Sequence, residues 1–103
     1  MMDIQKMMKQ AREAQAKMVQ LQDELAAKTV EASAGGGMVK VVMTGAQELQ
    51  SVTIDPAALD PDDVELLEDM IVAAVNEAAR MATELMNSGM AEITGGMNIP
   101  GLT

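Results

Sequence analysis

The sequence predicts an α+β fold in which a three-stranded antiparallel meander lies between two long helices. Three observations indicate this α-β-β-β-α order. Helix-forming residues with apolar positions at heptad spacing occupy 3–28, three short Val-, Ile- and Thr-rich segments follow within 29–55, and a second apolar repeat occupies 60–87. We expect one domain over residues 1–103, with 88–103 as a loosely ordered tail.

The first helix, expected over 3–28, has the apolar pattern of a coiled-coil strand. No glycine or proline interrupts it, and most of its residues are good helix formers. Because the apolar strip is narrow, we expect it to pack on one or two other helices and not inside a globule. The strip, called the seam below, follows a 4-3-4-3 spacing: Ile4, Met7, Ala11, Ala14, Met18, Leu21 and Leu25.

The side of this helix opposite the seam is polar and carries four cations. At about 100° per residue they spread over an arc of about 140° that is centred well away from the seam. Either they form a solvated face with ordinary ion pairs, such as Lys9 with Glu13, or they contact phosphates. The residues alone leave both interpretations open. The four cations, called the basic face below, are Lys6, Lys9, Arg12 and Lys17.

The middle of the chain predicts strands at residues 30–33, 38–43 and 49–54. Three consecutive glycines at 35–37 provide positive φ angles for the first reversal, and residues 44–47 provide the second.

Alternation along these strands places apolar side chains on both faces of the sheet. A three-stranded sheet with two half-apolar faces is incomplete, so the helices, a second copy of the chain, or both must cover it. We therefore expect a homodimer that forms through the sheet. The expected dimer interface is Val39, Val41, Met43, Val52 and Ile54.

The second helix is expected over 60–87. Asp60 is suited to cap it, Pro61 fits the first helical position, and Asn87-Ser88-Gly89 is a typical end. Its apolar face is wider than the seam, so we expect deeper burial. The acidic run at its start lacks the glycine and the ligand spacing of a calcium loop, so we expect capping and no metal site.

The composition argues against an enzyme. The chain contains no cysteine and no histidine, which removes thiol nucleophiles, the commonest general base and the commonest zinc ligands. It also lacks Phe, Tyr and Trp, so it offers no aromatic platform for stacking bases. We found no catalytic constellation and no cofactor motif, and we expect a binding or architectural protein.

The net charge of −9 is unevenly distributed. Residues 1–28 carry five Lys and Arg against four Asp and Glu, whereas residues 55–103 carry one Arg against ten acids. Such a chain repels polyanions at long range, so any nucleic-acid surface must be local and near the N-terminus. The first residues are charged and helical, and no apolar run reaches the length of a membrane span, so we expect a cytoplasmic protein.

Four segments together resemble one protein family. In chain order they read MMKQAREAQAKMVQLQDEL, AGGGMVKVVMTG, VTIDPAALDPDDVELLEDMIVAAVNEA and TGGMNIPGL. This sequence is similar to the YbaB/EbfC family of bacterial nucleoid-associated DNA-binding proteins. The resemblance covers nearly the whole chain in the same order, and residues 34–41 are its most specific part.

The resemblance implies a tweezer-like homodimer in which the sheets join at the centre and helical arms project. It implies binding of double-stranded DNA with little sequence preference, in the cytoplasm and nucleoid, with effects on nucleoid organisation and gene expression. On this chain it makes the basic face the DNA-contacting surface. The rival interpretation, a protein-binding adaptor or chaperone-like module, follows from the 12 methionines and would show little salt dependence.

Overall fold

The computed structural model describes the backbone of residues 3–96 and the side chains of residues 3–92. It confirms the α-β-β-β-α order and the antiparallel meander. The molecule is elongated, with extents of 77 × 25 × 15 Å. The elements are α1 (Ile4–Ala27), β1 (Thr29–Ala34), β2 (Val39–Thr44), β3 (Leu49–Ile54), a short 3-10 helix (Pro56–Ala58) and α2 (Val64–Gly96).

The two reversals of the meander use positive φ angles at different kinds of residue. The first uses the three expected glycines, at φ angles of 64°, 68° and 92°. The second uses Gln47, at a φ of 63°, where a non-glycine residue is uncommon. The Gln47 side-chain amide donates to the Ala79 carbonyl at 3.2 Å and to Thr83 Oγ1 at 3.0 Å. These bonds tie the β2–β3 turn to α2.

Helix α2 packs across β1 and β2 and forms the core with them. Its buried stripe repeats every four residues, and small side chains there bring the helix close to the sheet. Strand β3 lies beyond this cover, and Val52 on it is 40% exposed. The buried core therefore lies against one face of β1 and β2, with Ile54 of β3 half-buried at its edge. Its buried members are Ala32, Val39, Val41, Met43, Ala58, Met70, Ala74, Ala78 and Ala82.

The start of α2 differs from the expected one, because the helix begins at Val64 and not at residue 60. The Asp63 N–H donates to the Asp60 carbonyl at 3.0 Å, which closes a turn with Pro61 in its second position. The Asp63 carboxylate then accepts from the Leu66 N–H at 3.3 Å and caps the helix. The expectation that Asp60 caps α2 was wrong, since a turn that suits proline precedes the helix.

The end of α2 also differs, because the helix continues through Gly89 to Gly96 and does not stop at residue 87. Glycine in a helix interior costs about 1 kcal/mol relative to alanine. Here Leu25 of α1 fills the space beside the glycine, and a Cβ at position 89 would lie 2.5 Å from Leu25 Cδ2. Packing outweighs local preference, so residues 88–96 of the expected tail are helical. Residues 97–103 of that tail lie outside the described residues.

Helix α1 forms over nearly the expected range, and the Asp3 carboxylate caps it by accepting from the Gln5 N–H at 3.1 Å. Leu25 is the only buried residue of α1. Ile4 is 71% exposed and Met7 47% exposed, so the outer part of the seam has no cover from the described part of this chain. That a second helix packs there stays a prediction.

Candidate nucleic-acid interface

The basic face lies along the outer part of α1, on the opposite side from the seam. All four of its side chains are exposed. Lys6 and Lys17 are eleven residues apart, which corresponds to about 16 Å along the helix axis. The asymmetry of α1 thus leaves its cations accessible whether or not another helix covers the seam.

The four cations of the basic face have no ion-pair partner among the described residues. Across residues 3–92, the salt bridges are those of Arg80, to Glu77 at 2.7 Å and to Glu84 at 3.0 Å. The hydrogen bond from Arg80 lowers the pKa of Glu77, and both partners raise the pKa of Arg80. The Lys9–Glu13 pair weighed above does not form. The cation of α2 is therefore engaged by carboxylates, and those of the basic face are not.

The sheet separates the basic face from the most acidic segment of the chain. The arm, as we call α1, joins the strand end where the Gly45 N–H donates to the Lys28 carbonyl at 2.8 Å. The acid-rich residues 55–69 follow the other strand end, where the Asp55 N–H donates to the Met38 carbonyl at 2.8 Å. At physiological salt, charges farther apart than about 8 Å are largely screened from each other. A chain with a net charge of −9 can thus present a local basic surface.

The arm extends well beyond the helix that covers the sheet. Helix α2 has 33 residues, which corresponds to about 50 Å, whereas the molecule is 77 Å long. We assign the remaining length to α1. This helix contacts mainly α2, and a single residue, Lys28, links it to β1. The basic face is therefore carried on a projecting helix.

Chemically, this surface suits phosphate groups. Lys and Arg side chains bind phosphate oxygens, and such contacts position a protein on a duplex without reading its sequence.

Within the described residues, no group of three or more Asp and Glu side chains is arranged to hold a metal ion. Neither described helix is both long and apolar enough to cross a lipid bilayer.

The five residues expected at a dimer interface occupy two different environments. Val39 and Val41 are completely buried and Met43 is 4% exposed, all within the chain's own core against α2. Val52 lies on β3 beyond that cover and is 40% exposed, whereas Ile54 is half-buried and packs against the edge of the core. An added chain can reach Val52 without displacing α2, and the interface as a whole stays a prediction.

One structural feature of the arm was not anticipated from the sequence. Leu25 lies against two glycines, Gly45 in the β2–β3 turn and Gly89 in α2. The heptad spacing marked Leu25 only as one of seven seam residues. The signal that could have indicated its role is Gly89, an isolated glycine in an otherwise continuous helical pattern.

Comparison with known proteins gives consistent results. The model of the YbaB/EbfC DNA-binding family matches residues 1–97. A nucleoid-associated protein of Thermoanaerobacter sp. (strain X514) is 56% identical over 100 residues, which cover 97% of this chain and 90% of that protein. A nucleoid-associated protein of Moorella thermoacetica is 54% identical over 99 residues, covering 96% and 95% of the two chains.

A solved structure shares the fold. The crystal structure of an uncharacterized Helicobacter pylori protein matches with a TM-score of 0.73, covering 91% of this chain and 99% of that one. The two sequences are 22% identical, so this match supports the fold alone.

Proposed function

Since this chain belongs to the YbaB/EbfC DNA-binding family, we propose that it binds double-stranded DNA as a homodimer, with little sequence preference, through the basic face of α1. Its relatives are named nucleoid-associated proteins, which supports a place in the nucleoid and a role in nucleoid organisation and gene expression. The role is one of binding and not of catalysis.

The observation that carries this proposal is the state of the four arm cations. They are exposed, they share one side of a projecting helix, and no carboxylate among the described residues pairs with them. Elsewhere, Arg80 is neutralised by two glutamates, and Lys28 and Lys40 stand singly. The arm is therefore the part of the described chain where several free cations occur together.

The expected mode of binding is contact with the DNA backbone. A dimer carries two arms, and four cations on each give up to about eight phosphate contacts, each adding about −0.9 to the slope of log affinity against log salt. Phosphate contacts carry no sequence information, and Lys and Arg read a sequence only where they meet base edges such as that of guanine. Contacts made mainly to phosphates therefore predict weak sequence selectivity.

The test is a double charge reversal, Lys9→Glu with Arg12→Glu, compared with the parent in a gel shift with duplex DNA. Both sites are exposed on a helix face away from the seam, so dimer mass and helicity should stay unchanged while binding is lost. The matched control is Lys28→Glu with Lys40→Glu. It changes the net charge by the same amount at two exposed sites off the basic face, and it should retain most of the binding.

A second candidate function rests on the exposed apolar part of the arm. Ile4 is 71% exposed, and Met7 and Met8 are about half exposed, which also suits an adaptor that captures apolar segments of other proteins. If the arm double mutant bound duplex DNA as tightly as the parent, the basic face would not be the DNA site, and the adaptor function would become the better proposal.

A further inference from the structure

We infer that Leu25, held between Gly45 and Gly89, is a positioning residue that sets the angle of the arm and thereby controls DNA binding without touching DNA. The inference rests on the proposed function for its consequence, DNA affinity. Its structural part, the fixing of the arm, stands on the packing around Leu25 alone.

Three separate parts of the chain meet at Leu25, and the resulting contact is called the arm joint below. In α2, a Cβ on Gly89 would lie 2.5 Å from Leu25 Cδ2 and 2.6 Å from Cδ1. In the β2–β3 turn, a Cβ on Gly45 would collide with the backbone carbonyl oxygen of Leu25. Both approaches are closer than an ordinary van der Waals contact. At Gly45 the obstacle is backbone, so that position requires glycine, whereas at Gly89 the obstacle is the end of the Leu25 side chain, which must shift to admit a methyl group.

Neither glycine is explained by the conformation of its backbone. Gly45 and Gly89 are absent from the residues with positive φ, unlike the three glycines of the first turn. Gly89 lies inside α2, where almost any other residue would favour the helix more. Close approach to Leu25 is the feature that the two positions share.

The rest of the arm is held less firmly, because Met18, Leu21 and Ala26 are half-buried and the remaining residues of α1 apart from Leu25 are exposed. Leu25 is the single buried residue of α1, and only Lys28 links the helix to β1. The Lys28 N–H donates to the Leu25 carbonyl at 3.2 Å, and the Lys28 carbonyl accepts from the Gly45 N–H at 2.8 Å. These bonds hold the same point from the other side, so the arm is fixed most firmly at this joint.

The length of the arm amplifies any change at the joint. Lys6 lies 19 residues from Leu25, about 28 Å along the axis, so a tilt of about 10° moves it by about 5 Å. Such a displacement exceeds the reach of a hydrogen bond to a phosphate. The same tilt moves Lys17, which is about 12 Å from the joint, by only about 2 Å. The outer phosphate contacts should therefore be lost first.

The variant that tests the joint is Gly89→Ala, with Ser88→Ala as the matched control. Both changes favour the helix, but only the first places a methyl group against Leu25. The chain has no cysteine, so a spin-label pair can be introduced at Gln5 and Asn76, both exposed. The labelled chain is mixed with an excess of unlabelled chain, so that most dimers contain one labelled chain and the measured distance lies within that chain.

In G89A we expect the arm distance to shift by several ångströms or its distribution to broaden, and duplex affinity to fall at least tenfold at fixed salt. The helical content of G89A should match that of the parent, and S88A should match the parent in arm distance and in duplex affinity. The double variant L25A/G89A removes the two Cδ atoms that the new methyl group meets, so the mean arm distance should return toward the parent value. Its distribution should stay as broad as that of L25A alone, because the Leu25 side chain no longer packs against α2.

An unchanged distance in G89A would overturn the inference, and so would a shifted distance with unchanged affinity. If G89A lost helical content, L25A alone decides: it removes the clamped side chain, and an unaltered distance distribution would reject the joint. Failure of the proposed function is seen separately. If K9E/R12E left DNA binding intact, the basic face would be rejected while the spin-label distances still judged the joint.

Discussion

Replacing Val41 with alanine tests the packing of α2 on the sheet. Val41 is in the central strand, pairs with Ala32 and Val52, and has no exposed surface. The change removes two carbon atoms, worth about 1.6 kcal/mol at about 0.8 kcal/mol each. The cavity left under α2 raises the total to about 2–3 kcal/mol, and the lost strand preference of valine acts in the same direction.

Urea denaturation followed by circular dichroism measures this loss. The protein concentration must be held fixed, because the apparent stability of a dimer depends on it. Val72→Ala is the matched control, since Val72 is 58% exposed on α2 and its change should stay within about 0.5 kcal/mol. A loss below about 1 kcal/mol for Val41→Ala would mean that α2 does not seal this face in solution.

Three further predictions concern the uncovered strand, the first turn and the α2 ion pairs. Val52→Asp places a charge on the open face of β3, so the mass measured by light scattering should drop from twice the chain mass to the chain mass. Val72→Asp is the control and should leave the mass unchanged. A dimeric Val52→Asp protein would exclude this face as the interface. Gly36 has a φ of 68° and no atom near the place of a Cβ, so Gly36→Val should cost about 1–3 kcal/mol of backbone strain without a steric clash. DNA binding should fall only as far as the protein unfolds. Lost binding in a fully stable dimer would instead indicate a direct DNA contact. Arg80→Gln should raise the pKa of Glu77 toward its ordinary value in an NMR titration, because the hydrogen bond that lowers it is gone. Since the folded-state pKa of Glu77 is depressed, the pair stabilises the fold above the unfolded-state pKa and ceases to do so as the pH falls through the folded value. Both side chains are exposed, so the melting temperature at neutral pH should change little; an unmoved Glu77 pKa would show that the pair does not form in solution.

The elements of this fold were predictable where a local signal and the tertiary structure agree. Heptad spacing without Gly or Pro gave α1 almost to its observed ends, and alternating Val-rich segments gave the three strands within a residue or so. The three glycines of the first turn adopt the positive φ angles expected of them. In each case, residues close in sequence determine the conformation.

The errors arose where contacts between distant residues decide the outcome. Gly89 has the sequence signature of a helix end, yet Leu25 from α1 packs against it and the helix continues. Asp60 and Asp63 are both good caps by residue type, and the turn formed around Pro61 selects the second. A single sequence contains neither the position of α1 relative to α2 nor the geometry of that turn.

The candidate site was partly predictable for the same reason. Helical spacing places the four arm cations together, because the arrangement is local to one helix. Which face of the sheet α2 covers is not local, so the burial of Val39 and Val41 within the chain, and the exposure of Val52, emerged only from the packed structure. The arm joint likewise depends on three separate parts of the chain.

The salt dependence of duplex binding tests the central claim most directly. Affinity for a short duplex is measured at several salt concentrations, and its logarithm is plotted against the logarithm of the salt concentration. Eight phosphate contacts from the two basic faces of a dimer predict a slope of about −7, and the K9E/R12E variant, which removes four of them, should show at most about half that slope in any residual binding. Binding that is nearly independent of salt, or a variant with the slope of the parent, would contradict the claim that these arms hold DNA by its phosphates.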